Sequence, residues 1–196
     1  MTNALGPKAG EVAPNALFVN LVAASLTVLL VAAVVIPTRL LPRAVPAGRL
    51  EVLWASVGIF LTFTLHELVH ALSLVVREKM PWRNFRFGFS WRQLVVYCHC
   101  NQPMSVRAYR TYALAPLMVL GSITTLATLA YPAYWLAITT AVHLAGCIGD
   151  VWMLVSFRRF PGHFLVVEFP DRIGGEVFEP APANLPFTLQ NQSAHS

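Results

Sequence analysis

Thr64-Leu65-His66-Glu67-Leu68-Val69-His70-Ala71-Leu72 sits inside an apolar run over residues 52–76, and the architecture turns on how that run is read. As a helix rising 1.5 Å per residue, a run of this length crosses a hydrocarbon core of about 30 Å. Residues four apart share a helical face, so His66 and His70 can offer two imidazoles to one metal ion while Glu67 addresses a water on it. An ionisable side chain near the bilayer centre costs about 2.5–3.5 kcal/mol on insertion scales. Three of them within five positions therefore point to chemistry, against the alternative of histidines that only hydrogen-bond helix to helix.

Composition agrees with a membrane setting. Of 196 residues, 56% are hydrophobic and 12% charged, and the mean hydropathy is +0.59, which excludes an ordinary soluble domain. The net charge of +5 comes from basic residues beside apolar runs, where they set orientation and meet anionic headgroups. No nucleic-acid partner is expected. The three cysteines, Cys98, Cys100 and Cys147, form no disulfide framework.

Residues 1–15 read as a loose cytoplasmic tail, rich in glycine and proline. The first span covers about 16–36. A signal peptide cleaved near Val45-Pro46-Ala47 is the competing reading, but the run is longer than a signal h-region. A proline-broken loop with three arginines follows over 37–49, and the second span covers 52–76. Between about 84 and 100, Phe85, Phe87, Phe89 and Trp91 alternate with Arg86, Gly88, Ser90 and Arg92, the period of a strand. Val- and Tyr-containing 94–100 can pair back after a turn near 91–93, giving a small β-hairpin at the membrane surface. That hairpin is either an aromatic anchor or an edge that takes an extended substrate segment by strand addition. Within it, Cys98-His99-Cys100 resembles a ligand cluster, but neighbouring strand residues point to opposite faces.

Apolar character from 113 to 157 is too long for one crossing and breaks at Tyr131-Pro132-Ala133-Tyr134, giving spans over about 113–130 and 135–157. Residues 163–169 read as a short strand, and the chain from Pro180 as disordered. The expectation is thus an all-α polytopic membrane protein of about four transmembrane helices with one surface hairpin. Residues 1–157 form a single domain and 158–196 a cytoplasmic tail.

These residues resemble a known family. The His66-Glu67-Leu68-Val69-His70 motif in a second span, the surface hairpin, and Gly149-Asp150 in a late span are similar to the "putative zincin peptidase" family of small bacterial membrane proteins. They are similar, more distantly, to the site-2 intramembrane metalloproteases. The resemblance covers roughly residues 50–157. It implies that His66 and His70 bind Zn²⁺, that Glu67 is the general base, that Asp150 is the third ligand, and that the setting is a bacterial cytoplasmic membrane. Asp150 lacks the Asn-Pro-Asp-Gly-like surroundings of site-2 proteases, and the chain has no room for their PDZ domain.

Depth supports Asp150 independently. His143, Cys147 and Asp150 stand at i, i+4 and i+7 on one helical face. Counting back from Arg77 and Arg158, His66 and His70 lie roughly 16 and 10 Å deep, Asp150 roughly 12 Å, Cys147 roughly 16 Å and His143 roughly 22 Å. Cys147 stays open as a ligand, His143 as a supporting residue, and a snorkelling pair of Asp150 with Arg158 or Arg159 as the non-ligand alternative. Zn²⁺, two neutral imidazoles and the Asp150 and Glu67 carboxylates sum to zero charge, which a low-dielectric interior tolerates. The expected function is a zinc-dependent intramembrane endopeptidase in which Glu67 activates a zinc-bound water, acting on a membrane protein or peptide within the lipid bilayer. The rival is a non-proteolytic metal-binding, adaptor or chaperone protein of the same fold, which would have no use for Glu67.

Eleven lysines and arginines fall in the N-terminal tail, the 77–110 loop and the C-terminal tail, against three in the 37–49 loop, which puts both termini in the cytoplasm. A reporter active only outside the cytosol should therefore be active when fused after Val45 and silent when fused after Gln102. The opposite pattern would invert the arrangement.

Overall fold

Apolar backbone with no water to bond must satisfy its own N–H and C=O groups, and helices do so within one segment. A computed structural model of the chain, describing residues 5–40, 48–90, 95–169 and 173–181, has four helical segments long and apolar enough to cross a membrane: Leu17–Pro37, Glu51–Arg77, Val106–Ala130 and Tyr134–Phe157.

The first helix, α1 (Ala16–Leu40), is capped by Asn15, whose side-chain oxygen accepts from the N–H groups of Leu17 and Phe18 at 3.0 and 3.3 Å. It runs past the expected end at 36 to Leu40, with Pro37 inside its last turns. The second, α2 (Glu51–Arg77), ends where Lys79 takes φ 52° and the Met80 N–H turns back to the Leu74 carbonyl. The third segment starts at Val106, seven residues before the expected 113. Its first part, α3 (Val106–Pro116), is amphipathic: Val106, Ala108, Tyr109, Tyr112 and Ala113 are buried, while Arg107 and Arg110 dilute the hydropathy. Ser105 caps it, accepting from the Ala108 N–H at 3.1 Å. A π-helical stretch, Leu117–Gly121, follows Pro116 and leads into α4 (Ser122–Ala130). The fourth segment is not one continuous helix, because α5 (Tyr134–Gly146) gives way at Cys147, where ψ is −6°, to α6 (Ile148–Phe157).

The structure is mostly helical as expected, and the all-α expectation is corrected by a four-stranded antiparallel sheet beside the expected hairpin. The hairpin is present, with β2 (Phe85–Ser90) paired to β3 (Val95–Cys100) from Phe85↔Cys100 to Ser90↔Val95; its turn lies outside the described residues. A four-stranded sheet adds β1 (Leu5–Val12), β4 (Met104–Ser105), β5 (Leu165–Glu168) and β6 (Gly175–Pro180) in the order β1-β6-β5-β4. Leu5–Val12, expected to be loose, is ordered by its pairing with β6. Gly174, at φ 118°, lies just before β6 against the Val12 backbone, leaving no space for a Cβ. This sheet collects the segments that precede α1, precede α3 and follow α6, so they all lie at one end of the helices.

In the helices, α5 packs against α1, α2 and α4, and α3 packs against α2 and α6. The core runs from Ala71 and Leu74 through Tyr109, Tyr112, Met153 and Phe157 into the sheets at Val166 and Val177. Where α2 meets α5, a Cβ at Gly58 would lie 2.6 Å from the buried Thr139 hydroxyl oxygen. Thr139 is β-branched and bonded to the Trp135 carbonyl, so it cannot step aside. Gly58→Ala should thus cost about 1–3 kcal/mol by overpacking, whereas Gly149→Ala, with nothing within 4 Å, should be neutral or stabilise by up to about 1 kcal/mol. Thermal unfolding of the two detergent-solubilised variants checks the contrast.

Candidate metal centre

Because α2 turns one face toward α3, α5 and α6, His66 and His70 are 5% and 3% exposed. Their Nε2 atoms are 3.1 Å apart. The break at Cys147 starts α6 afresh, and its first turn brings in Asp150: Oδ2 lies 3.1 Å from His66 Nε2 and Oδ1 3.4 Å from His70 Nε2. Glu67 lies alongside, its carboxylate within 4.8 Å of the imidazole nitrogens. The four residues singled out from the sequence are thus gathered in one place. The other candidates flank them: Cys147 Sγ is 4.0 Å from His66 Nδ1 and 3.8 Å from His143 Nε2, on the opposite side of the His66 ring.

His70 and Glu67 each have a traceable support. The His70 Nδ1 is 2.8 Å from the Tyr112 carbonyl oxygen; a carbonyl only accepts, so Nδ1 carries a proton, and in the neutral ring Nε2 then presents a lone pair. The Tyr112 ring lies over the His70 imidazole at 4.4 Å, and its hydroxyl donates to the Cys98 carbonyl at 3.0 Å. The Cys98 N–H in turn donates to Glu67 Oε2 at 2.7 Å. One strand residue thereby fixes the carboxylate, and one tyrosine fixes both that strand and His70. Neither Tyr112 nor Cys98 was singled out for this role from the sequence, since contacts 42 and 31 residues apart leave no local pattern.

The hairpin is tied in further by Glu168, which accepts from the Cys100 N–H at 2.9 Å and lies 3.4 Å from His99 Nδ1. The outward edge of β3 at Cys98 and Cys100 is therefore already bonded to side chains. All three cysteines are free and buried. Burial, reinforced by the Glu168 charge, pushes the Cys100 thiol up to about 11, and burial with the Glu67 charge pushes Cys98 higher still. Both stay protonated at neutral pH, which suits packing and not metal ligation.

The donor set fits a zinc ion. Asp150 Oδ2 is buried and, although 3.1 Å from an imidazole nitrogen, has no hydrogen-bond partner. Ligand atoms on one tetrahedral Zn²⁺, each at about 2.0–2.2 Å, stand about 3.3–3.5 Å apart, close to the 3.1–3.4 Å separations here. Residues 59–165, which contain all of these groups, match the family described as "Putative zincin peptidase". The chain belongs to that family. No curated protein and no solved structure matches it, so the likeness to site-2 proteases rests on the motif alone. The family match runs from Ile59, within α2, to the start of β5 and leaves out α1, β1 and β6.

Tyr112→Phe removes the donor to the Cys98 carbonyl while keeping the main-chain support of His70. Metal content should be unchanged, and hydrogen exchange at the β3 amides should quicken by about tenfold, as expected for loss of one buried hydrogen bond. Exchange mass spectrometry beside zinc stoichiometry checks both.

Proposed function

We propose that the protein is a zinc-dependent endopeptidase that cleaves a membrane protein or peptide within the bilayer, with His66, His70 and Asp150 as the ligands and Glu67 as the general base. The observation that carries this reading is the buried meeting of two imidazole nitrogens and an unpartnered carboxylate oxygen with a second carboxylate at its side. Zinc bound there would supply Lewis acidity, polarising a peptide carbonyl and bringing a water to a pKa of about 7. Glu67 then does the proton work. With Oε2 held by the Cys98 N–H, Oε1 is the oxygen left to accept a proton from the attacking water and return it to the leaving amine. Asp150, with its side chain 22% exposed, marks the side on which the site opens to water and substrate.

The four apolar segments form the membrane-spanning part, with the sheets and both termini on the cytoplasmic side. This arrangement is supported by the basic residues of the 77–110 loop and by β1, β4, β5 and β6 meeting at one end of the helices. A second reading draws on His66, His143 and Cys147, whose ligand atoms also lie within 4.8 Å of one another. That set would use the other face of His66 and would serve a non-proteolytic metal site.

Variants separate the two. His66→Ala, His70→Ala and Asp150→Ala should each lower zinc content sharply, while His143→Ala and Cys147→Ala retain it. Glu67→Gln should keep zinc and lose proteolysis, because it removes a base and not a ligand. Metal analysis of purified protein, together with substrate trapping by Glu67→Gln in membranes, tests this. Undiminished cleavage by Glu67→Gln would rule out Glu67 as the general base and with it this mechanism, and zinc loss in His66→Ala, His143→Ala and Cys147→Ala with retention in His70→Ala and Asp150→Ala would favour the second site.

A further inference from the structure

Pro116 stands inside a helical segment, where a proline costs about 3 kcal/mol through its missing N–H and the clash of its ring with the carbonyl four residues back. The carbonyl four residues back is that of Tyr112. In a regular helix it would accept from the N–H at position 116, which proline lacks. The next N–H, of Leu117, bonds to Leu114 instead, and the chain enters its π-helical stretch over Leu117–Gly121. The Tyr112 carbonyl is therefore left open by its own helix, and a buried open carbonyl must find another donor. It finds the Nδ1–H of His70, at 2.8 Å.

We propose that Pro116 is a positioning residue for the metal centre: by emptying and pushing aside the Tyr112 carbonyl, it creates the acceptor that fixes the tautomer and ring orientation of His70. This rests on His70 being a metal ligand. A ligating histidine is commonly held by a hydrogen bond from its other ring nitrogen, and losing that partner weakens metal binding by about 10–100-fold. A kink proline whose role is only structural would leave affinity alone. The proline is buried and its ring carries no ligand atom, so it acts through the backbone.

Two effects of opposite sign make the proposal testable. Pro116→Ala restores an N–H that can bond the Tyr112 carbonyl and removes the ring clash, so the zinc-free protein should melt at a higher temperature. The same change draws the carbonyl back toward its helix, and zinc affinity, measured by chelator competition on the full-length purified protein, should fall at least about tenfold. Cobalt substitution adds a second readout, since a ligand field altered in Pro116→Ala and normal in Tyr112→Phe would locate the effect at the main-chain carbonyl. Pro132→Ala, at the α4–α5 turn, controls for proline removal in general and should not change affinity. Unchanged zinc affinity in Pro116→Ala overturns the proposal, as does an affinity loss accompanied by a lower melting temperature, which would indicate general damage. Failure of the underlying reading looks different, for His70→Ala would then bind zinc as tightly as the parent.

Discussion

Lone pairs converge in the middle of this molecule with too few protons to satisfy them. With His70 neutral, as a metal ligand must be, its Nδ1 proton goes to a carbonyl and its Nε2 lone pair faces His66 Nε2 and the Asp150 carboxylate at 3.1 to 3.4 Å. A single proton on His66 can bridge only one of these pairs and leaves a buried carboxylate oxygen without a partner. A bound cation answers all of them together. Without one the cluster is a desolvation penalty, since an unpaired buried acceptor costs about 1–3 kcal/mol and more when charged. The sequence carries this cost in a helix face otherwise built of Ala, Leu and Thr.

That requirement explains irregularities that would otherwise count as defects. The break at Cys147 restarts α6 so that its first turn reaches α2. The π-helical stretch and Pro116 open a carbonyl for one histidine, and irregular helical turns of this kind are frequent at functional sites. The hairpin, anchored through Cys98 and Cys100 to Glu67, Tyr112 and Glu168, has one edge closed by side chains. A substrate strand pairing along β3 beside the site would have to displace Glu67 from Cys98. Of the β3 positions, Val96 alternates with Cys98 and so points its backbone groups the same outward way.

What could be read from the sequence was whatever repeats locally. Apolar runs set the helices to within a residue or two at most ends, the i, i+4 histidines share a face, and period-two alternation placed the hairpin. The third segment was started late because α3 is amphipathic, with Arg107 exposed and Arg110 bonded to the carbonyls of Phe157, Arg158 and Phe160, and its signal lies in the Ser105 cap more than in hydropathy. Strand β1 was invisible because Leu5-Gly6-Pro7-Lys8-Ala9-Gly10-Glu11-Val12 has neither alternation nor β-propensity of its own. It is a strand only because β6, more than 160 residues later, pairs with it. Tyr112 could have been suspected from the proline four residues on, which predicts an open carbonyl but not the donor that takes it.

The family match and the packing together divide the chain into two parts. Every group of the proposed centre, from His66 to Asp150, lies within 59–165, and of its supports only Glu168, which ties down β3, falls just beyond. Outside that range, α1 packs on α5 and α6, and among the described residues it contributes no polar group to the site. The two terminal strands pair with each other, β1 with β6, and β6 then joins β5. The ends thus close on one another and are joined to the matched region at β5, at the Arg159 guanidinium, which donates to the Glu11 carbonyl at 2.8 Å, and at the ring of Phe160 beneath Gly10. A clasp of this kind holds α1 against the bundle from the cytoplasmic side of the proposed arrangement. The lateral face of α2, where Leu61, Leu65 and Leu68 remain exposed, is left uncovered.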